Sequence, residues 1–147
     1  MARHRNGSFV TDLEGERWHI IHEAGTKHTW YYVSNKARVK WHNVKNGHEG
    51  LILLDYNFLN RKDARHPTGG YVLVHLLKGK RNVGFALHRL VVTYFCQKRH
   101  LFCTQVDHLD DDHLNNLPEN LEWVTQSENI QRQYAKKNIN YSLFIIH

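Results

Sequence analysis

Between Trp18 and Val39 the chain runs through short apolar stretches, WHII, WYYVSN and ARVKW, separated by Gly25 and by Ser34-Asn35-Lys36. That pattern predicts a small set of β-strands. Trp30, Tyr32 and Trp41 read as fillers of that sheet's core, the commoner use of aromatic rings, although such rings also stack on bases. Residues 42–70 have no single period: HNVKNGHEG is turn-rich, LILLDYNFL fits a strand or a short helix, and NRKDARHPTGG is a loop. Tyr71 to Leu77 is β-branched and aliphatic, Lys78-Gly79-Lys80 turns it, and RNVGFAL returns, which predicts a hairpin. Leu87, Leu90, Val91, Tyr94 and Phe95 then recur at helical offsets, with His88 and Arg89 on the other face. Two further apolar runs, 105–109 and 121–125, flank a polar loop, and Thr125 and Glu128 have capping-box spacing at the head of a last helix. The chain therefore reads as α+β, with a flexible arm over 1–14, a β-rich module over 15–66, and a unit over 67–147 in which hairpin and helix precede a compact ββα core.

Charge sharpens this picture. Seven of the fourteen acids lie within residues 107–128, where there is no Lys or Arg, while 20 basic residues face the other seven acids elsewhere. A formal charge of +6, a pI near 9.4 and 13 His favour a polyanionic partner. Carboxylates beside such a surface repel the same polyanion unless a cation bridges carboxylate and phosphate, which is the pattern of metal-dependent phosphodiester chemistry. Residues 78–100 hold six Lys and Arg and no acid. Lys78, Lys80, Arg81, His88 and Arg89 there, with Arg132, Lys136 and Lys137 on the last helix, are the expected DNA-binding residues. Arg3, His4, Arg5, Arg61, Lys62 and Arg65 are lesser phosphate candidates. No apolar run approaches the roughly 20 residues that span a bilayer, and the start lacks the apolar stretch of a signal peptide, so the expectation is an intracellular chain without membrane contact. Cys96 and Cys103 read as reduced, partly buried thiols; a zinc site on them with a nearby His is the less favoured alternative.

The run VDHLDDDHLNNLPENLEWVTQSEN at 106–129 resembles the HNH endonuclease family, specifically its phage and intron homing endonuclease branch with the ββα-metal, or His-Me finger, fold. HRLVVTYF at 88–95 is similar to the helix before that motif. WHII, YYVSN and RV at 38–39 resemble the modular motif often joined N-terminally to such nucleases, which implies an accessory DNA contact. The resemblance implies hydrolysis of phosphodiester bonds in double-stranded DNA, leaving 5′-phosphate and 3′-hydroxyl ends. It makes Asp107 and Asn129 ligands to one divalent metal, Mg²⁺ or alternatively Mn²⁺; zinc is the less favoured ion and no small-molecule cofactor is expected. His108 suits the general base, because imidazole titrates near neutral pH. Asn120 matches the central asparagine, whose implied role is to hold the loop and the base in place, while Asn115 and Asn116 read as turn residues.

Neighbours on a regular strand point to opposite faces, so the strand must end or bend near Asp107 and His108 for both to serve one site. Where relatives often have Gly-Asn this loop has Asp111-Asp112, and an Asp enters a left-handed turn less easily than Gly. His113 reads as a surface residue. After the last helix only INYSLFIIH follows, which is expected to pack as a strand or to form a dimer contact; high sequence specificity is not expected. Oligomeric state and the choice between nicking and double-strand cleavage stay open, and a monomer with one site would nick. The alternative reading is a catalytically inactive DNA-binding module of the same fold.

Overall fold

The computed structural model describes residues 8–61 and 70–145, with side chains through residue 137. Arg3, His4, Arg5, Lys62 and Arg65 lie outside the described residues. Four strands, β1 (Trp18–Ile20), β2 (Thr29–Ser34), β3 (Val39–Asn43) and β4 (Glu49–Leu51), form an antiparallel sheet in chain order. The two-residue period of β2 turns Tyr31 and Val33 into the core and leaves Trp30 on the opposite face, 44% exposed. Trp30 is therefore not the core filler that composition suggested. Trp41, paired with Tyr31, packs at the core margin with its ring over Gly50, where a Cβ would come within 2.6 Å of the indole.

Residues 8–12 are tied to this sheet. Glu49 N–H donates to Ser8 O (2.8 Å), Trp18 Nε1 to Asp12 Oδ1 (2.8 Å) and Arg38 Nη2 to Thr11 O (2.8 Å). This stretch, expected to belong to a mobile arm, spends its polar groups on residues in or beside these strands instead.

β5 (Leu73–Lys78) and β6 (Arg81–Ala86) form the hairpin expected from the sequence, and Gly79 takes the positive φ (+63°) that tight hairpin turns require. Gly25 N–H donates to Leu77 O (2.7 Å) and Gly79 N–H to Gly25 O (2.9 Å), which fastens the β1–β2 connection to the hairpin end. Helix α1 (Leu87–Phe95) starts directly at the end of β6 and buries Leu87, Leu90, Val91 and Val92. His88 is buried as well, 6% exposed. Because the helix begins without a linker, its first turn is wedged between hairpin and last sheet, and His88 faces the rings of Tyr71 (4.4 Å between centroids) and His108 (5.1 Å). A DNA contact by His88 is incompatible with that position.

β7 (Gln105–His108) and β8 (Leu121–Val124) pair antiparallel with His108 opposite Leu121, and a short 3₁₀ turn over Pro118–Asn120 leads into β8. Buried Trp123 Nε1 donates to Val92 O (3.1 Å), pinning β8 to α1. Helix α2 (Gln126–Ile145) opens as Thr125 Oγ1 accepts from Glu128 N–H (3.1 Å) and donates to Glu128 Oε1 (3.1 Å). With no Gly or Pro after Thr125, the helical backbone continues through Tyr141–Ile145, where a strand was one expectation. Ile21, Tyr31, Val33 and Val39 of the first sheet share one buried cluster with Val72, Val74 and Leu76, the inner face of α1, Cys103, Leu121 and Trp123. Both halves of the chain thus lean on a continuous core, and the open end of the β7–β8–α2 unit is left for polar groups.

Candidate active site

β7 ends at His108, which resolves the facing problem: past it the chain turns, and Asp107 and His108 both line one cleft of about 600 Å³. Asn129, in the first turn of α2, lines the same cleft, together with Tyr71, Val106, Asp111, His113, Gln133, Lys136 and Lys137. The capping contacts of Thr125 fix that first turn, and Asn129 N–H closes its first bond to Thr125 O (3.0 Å).

The 109–117 loop is held from within. Asn120, 8% exposed, accepts from Asp110 N–H through Oδ1 (3.1 Å) and donates through Nδ2 to Asn115 O (2.8 Å) and Asp110 Oδ1 (2.8 Å). Leu109 N–H donates to Asn120 O (2.9 Å), so the loop is clamped from both ends of one residue. Asp111 adopts φ +60°, placing the departure from glycine on a left-handed position.

His108 is held by a residue that the sequence reading treated as mere turn. Asn116, 3% exposed, donates through Nδ2 to His113 O (3.2 Å), and its Oδ1 lies 2.8 Å from His108 Nε2. A backbone carbonyl only accepts, so the Asn116 amide is oriented with Oδ1 toward the imidazole, and Nε2 must carry the hydrogen. The neutral ring then bears its lone pair on Nδ1. Burial, joined by the positive charge of His113, lowers the His108 pKa below the ordinary imidazole value, against the opposing pull of Asn116, Asp107 and Asp110. His113 is half-buried on the cleft wall: its Nδ1 donates to Gly70 O (2.7 Å), and its ring stacks on Tyr71 (4.7 Å) and faces His108 (4.8 Å). Tyr71, His88, His113 and Asn116 form the apolar and polar wall around His108, and apart from the adjacent asparagines no spacing in the sequence marks them.

Four acids of the island, Asp107, Asp111, Glu122 and Glu128, are paired within the fold. Arg132 Nη1 donates to Asp107 Oδ2 (2.9 Å) and to Glu122 Oε2 (2.9 Å), Lys136 pairs with Asp111, and Arg99 pairs with Glu128. The two carboxylates hold the Arg132 pKa above its usual value. Arg132 and Lys136, expected to face DNA, thus turn onto acids of the finger. Lys78, Lys80 and Arg81 are exposed at the hairpin tip, outside the cleft lining. Arg89 is exposed, its guanidinium 3.3–3.4 Å from Thr104 O and 5.6 Å from the Trp123 ring. Lys137 is on the cleft wall.

The donors present fit a hard divalent cation. Asp107, its side chain only 12% exposed, already holds a positive group, and a carboxylate with an amide oxygen is an all-oxygen set that leaves room for water and phosphate. Among the described residues no helix is long and apolar enough to cross a membrane.

Comparison with known proteins bears on this arrangement. Residues 103–131 match a family model described as HNH endonuclease. The chain is 34% identical over 111 residues to DNA endonuclease I-HmuI of Bacillus phage SP01, covering 71% of this chain and 63% of that protein. It is 37% identical over 103 residues to the uncharacterized HNH endonuclease L247 of Acanthamoeba polyphaga mimivirus, covering 69% of this chain and 22% of that one. A solved structure of the HNH homing endonuclease I-HmuI superposes with a TM-score of 0.59 at 32% identity, over 82% of this chain and 59% of the other. The chain spans less than two thirds of the length of these relatives. The finger motif, the sequence identity reaching well beyond it and the shared fold make the chain similar to the HNH endonucleases.

Proposed function

We propose that this protein is a metal-dependent DNA endonuclease, similar in activity to the homing endonuclease it resembles, with His108 as general base and Asp107 and Asn129 as protein ligands to one divalent cation, Mg²⁺ or Mn²⁺. The observation that carries this reading is the convergence of Asp107, His108 and Asn129 on a single cleft. His108, neutral at pH 7 and with its lone pair on Nδ1, takes a proton from an attacking water. Asn116 keeps the ring in that tautomer, and Asn120 holds the loop that carries Asn116. The cation, when bound, relieves charge on the phosphoryl oxygens and on the departing alkoxide.

Arg132 has the role of counter-ion to Asp107, and a cation held by Asp107 would free its guanidinium for phosphate. Lys78, Lys80, Arg81, Arg89 and Lys137 supply backbone contacts to double-stranded DNA. The β-rich block 15–66 serves as an accessory DNA surface, with exposed Trp30 available to it, and 67–147 as the nuclease unit. A single set of Asp107, His108 and Asn129 in each chain leads us to assign nicking to a monomer.

Incubation of supercoiled plasmid with the protein tests this. Relaxed or linear DNA is expected with Mg²⁺, and none with EDTA or with His108→Ala. Equal products in all three reactions would remove the enzyme reading; DNA binding without products in any would favour an inactive binding module of the same fold.

A further inference from the structure

A second cluster of ligand-bearing side chains lies on the far side of the α2 N-terminus, outside the cleft. His100, Cys103 and Glu128 each bring one ligand atom into a group whose members lie within 4.8 Å of one another. Cys103 is fully buried, and the turn that aims it is closed by Cys103 N–H donating to His100 O (3.2 Å). Its Sγ lies 3.8 Å from His100 Nδ1 and 3.7 Å from Nε2. In a tetrahedral zinc site, with Zn–S about 2.3 Å and Zn–N about 2.0–2.1 Å, sulfur and nitrogen sit about 3.6 Å apart. The observed spacing is that of one tetrahedral edge.

Glu128 divides its carboxylate: Oε1 accepts from Thr125 Oγ1 in the helix cap, while Oε2 holds a cation already, the guanidinium of Arg99. Cys96, the partner that the sequence would pair with Cys103, points elsewhere, its Sγ toward Pro118 O (3.5 Å) and Leu121 O (3.8 Å).

We propose that His100, Cys103 and Glu128 form a binding site for a thiophilic divalent cation of the zinc type, distinct from the oxygen-lined cleft. Sulfur, imidazole and one carboxylate oxygen supply three ligands, and water reaches the fourth position because His100 is exposed. Binding releases the Cys103 thiol proton to solvent and frees Arg99 from Glu128. The ion joins the 100–103 turn to the first turn of α2, one residue before Asn129, so its role is to stiffen the end of the helix on which the cleavage site depends. The site stands on its own donors and does not require that the protein cut DNA.

Cobalt(II) added to the chelator-treated full chain tests it. One equivalent is expected to produce thiolate-to-cobalt charge-transfer absorption with the strong visible bands of a tetrahedral ion, and added Zn²⁺ is expected to abolish both. The spectrum should persist in Cys96→Ser and Asp107→Asn and vanish in Cys103→Ser. Because Cys103 is buried, His100→Ala provides a second variant at an exposed position, with cobalt affinity expected to fall by at least about tenfold. Absence of the charge-transfer band in the wild type would overturn the site, as would a band unaffected by His100→Ala or one lost in Cys96→Ser.

Discussion

Asn116 shows how one side chain can decide what its neighbour is able to do. Its amide is oriented by His113 O, and that orientation dictates which nitrogen of His108 carries the proton. Asn116→Ala removes the acceptor and leaves a buried N–H without its partner, so the ring loses its fixed tautomer. With His108 as the proposed base, the rate of plasmid nicking is expected to fall by about 10- to 100-fold, a part of what general-base catalysis supplies. Asn116→Asp keeps an acceptor toward Nε2 and is expected to retain more activity than the alanine variant. Equal rates for Asn116→Ala and wild type would separate Asn116 from the base. His108, Asp107, Asn120 and Asn129 stand out in the sequence because their order and spacing form a motif, and the fold brings Asp107, His108 and Asn129 to one cleft. Asn116 does not, since its role depends on burial and on a carbonyl three residues back, and an Asn-Asn pair in a polar loop looks like any turn. His88 and His113 were misplaced for the same reason: both were taken as solvent-facing, and both stack into the wall around Tyr71.

The elements were more legible than the contacts between them. A β-branched and aliphatic run with its Lys78-Gly79-Lys80 turn located the hairpin, two short apolar runs located β7 and β8, and the capping box located the start of α2. What lay beyond local pattern was the docking. Residues 8–12 carry no periodicity, yet hydrogen bonds to Glu49, Trp18 and Arg38 hold them on the first sheet. The fate of the basic residues on α2 was equally hidden, since a helix face of Arg132 and Lys136 reads as a phosphate surface until Asp107, Glu122 and Asp111 are seen beneath it. Between α1 and β8 the tie is Trp123 Nε1 to Val92 O, inside the core. Trp123→Phe keeps most of the ring and deletes the donor. Unfolding by urea is expected to show a loss of about 1–2 kcal/mol, the cost of one unmade buried hydrogen bond with some lost packing. Unchanged stability would mean that the finger is held on α1 by packing alone.

For the whole molecule the consequence of burying imidazoles under the cleft is a pH-dependent stability. Burial first, then the positive charge of His108, Arg89 and His113, lowers the pKa of His88 to about 3. As pH falls below about 6.5 the unfolded chain binds a proton at this position and the folded chain does not, so stability is unaffected above that value and lost from there toward pH 3. The limiting slope from this one group is about 1.4 kcal/mol per pH unit. The lowered pKa of His108 adds a loss of the same sign in the upper part of that window, and the depressed carboxylates Glu16 and Glu49 add theirs below the ordinary carboxylate range. Urea titrations between pH 6.5 and 5 are therefore expected to give a shallower slope for His88→Leu than for wild type. The same slope in both would mean that His88 is protonated in the folded chain.

The most direct test of the proposed cleavage site is binding of Mn²⁺, followed by electron paramagnetic resonance as loss of the free-ion signal. One Mn²⁺ per chain is expected to bind to wild type and to His108→Ala, and binding is expected to be lost in both Asp107→Ala and Asn129→Ala. Wild-type affinity in either of those last two variants would show that residues 107 and 129 do not share a cation.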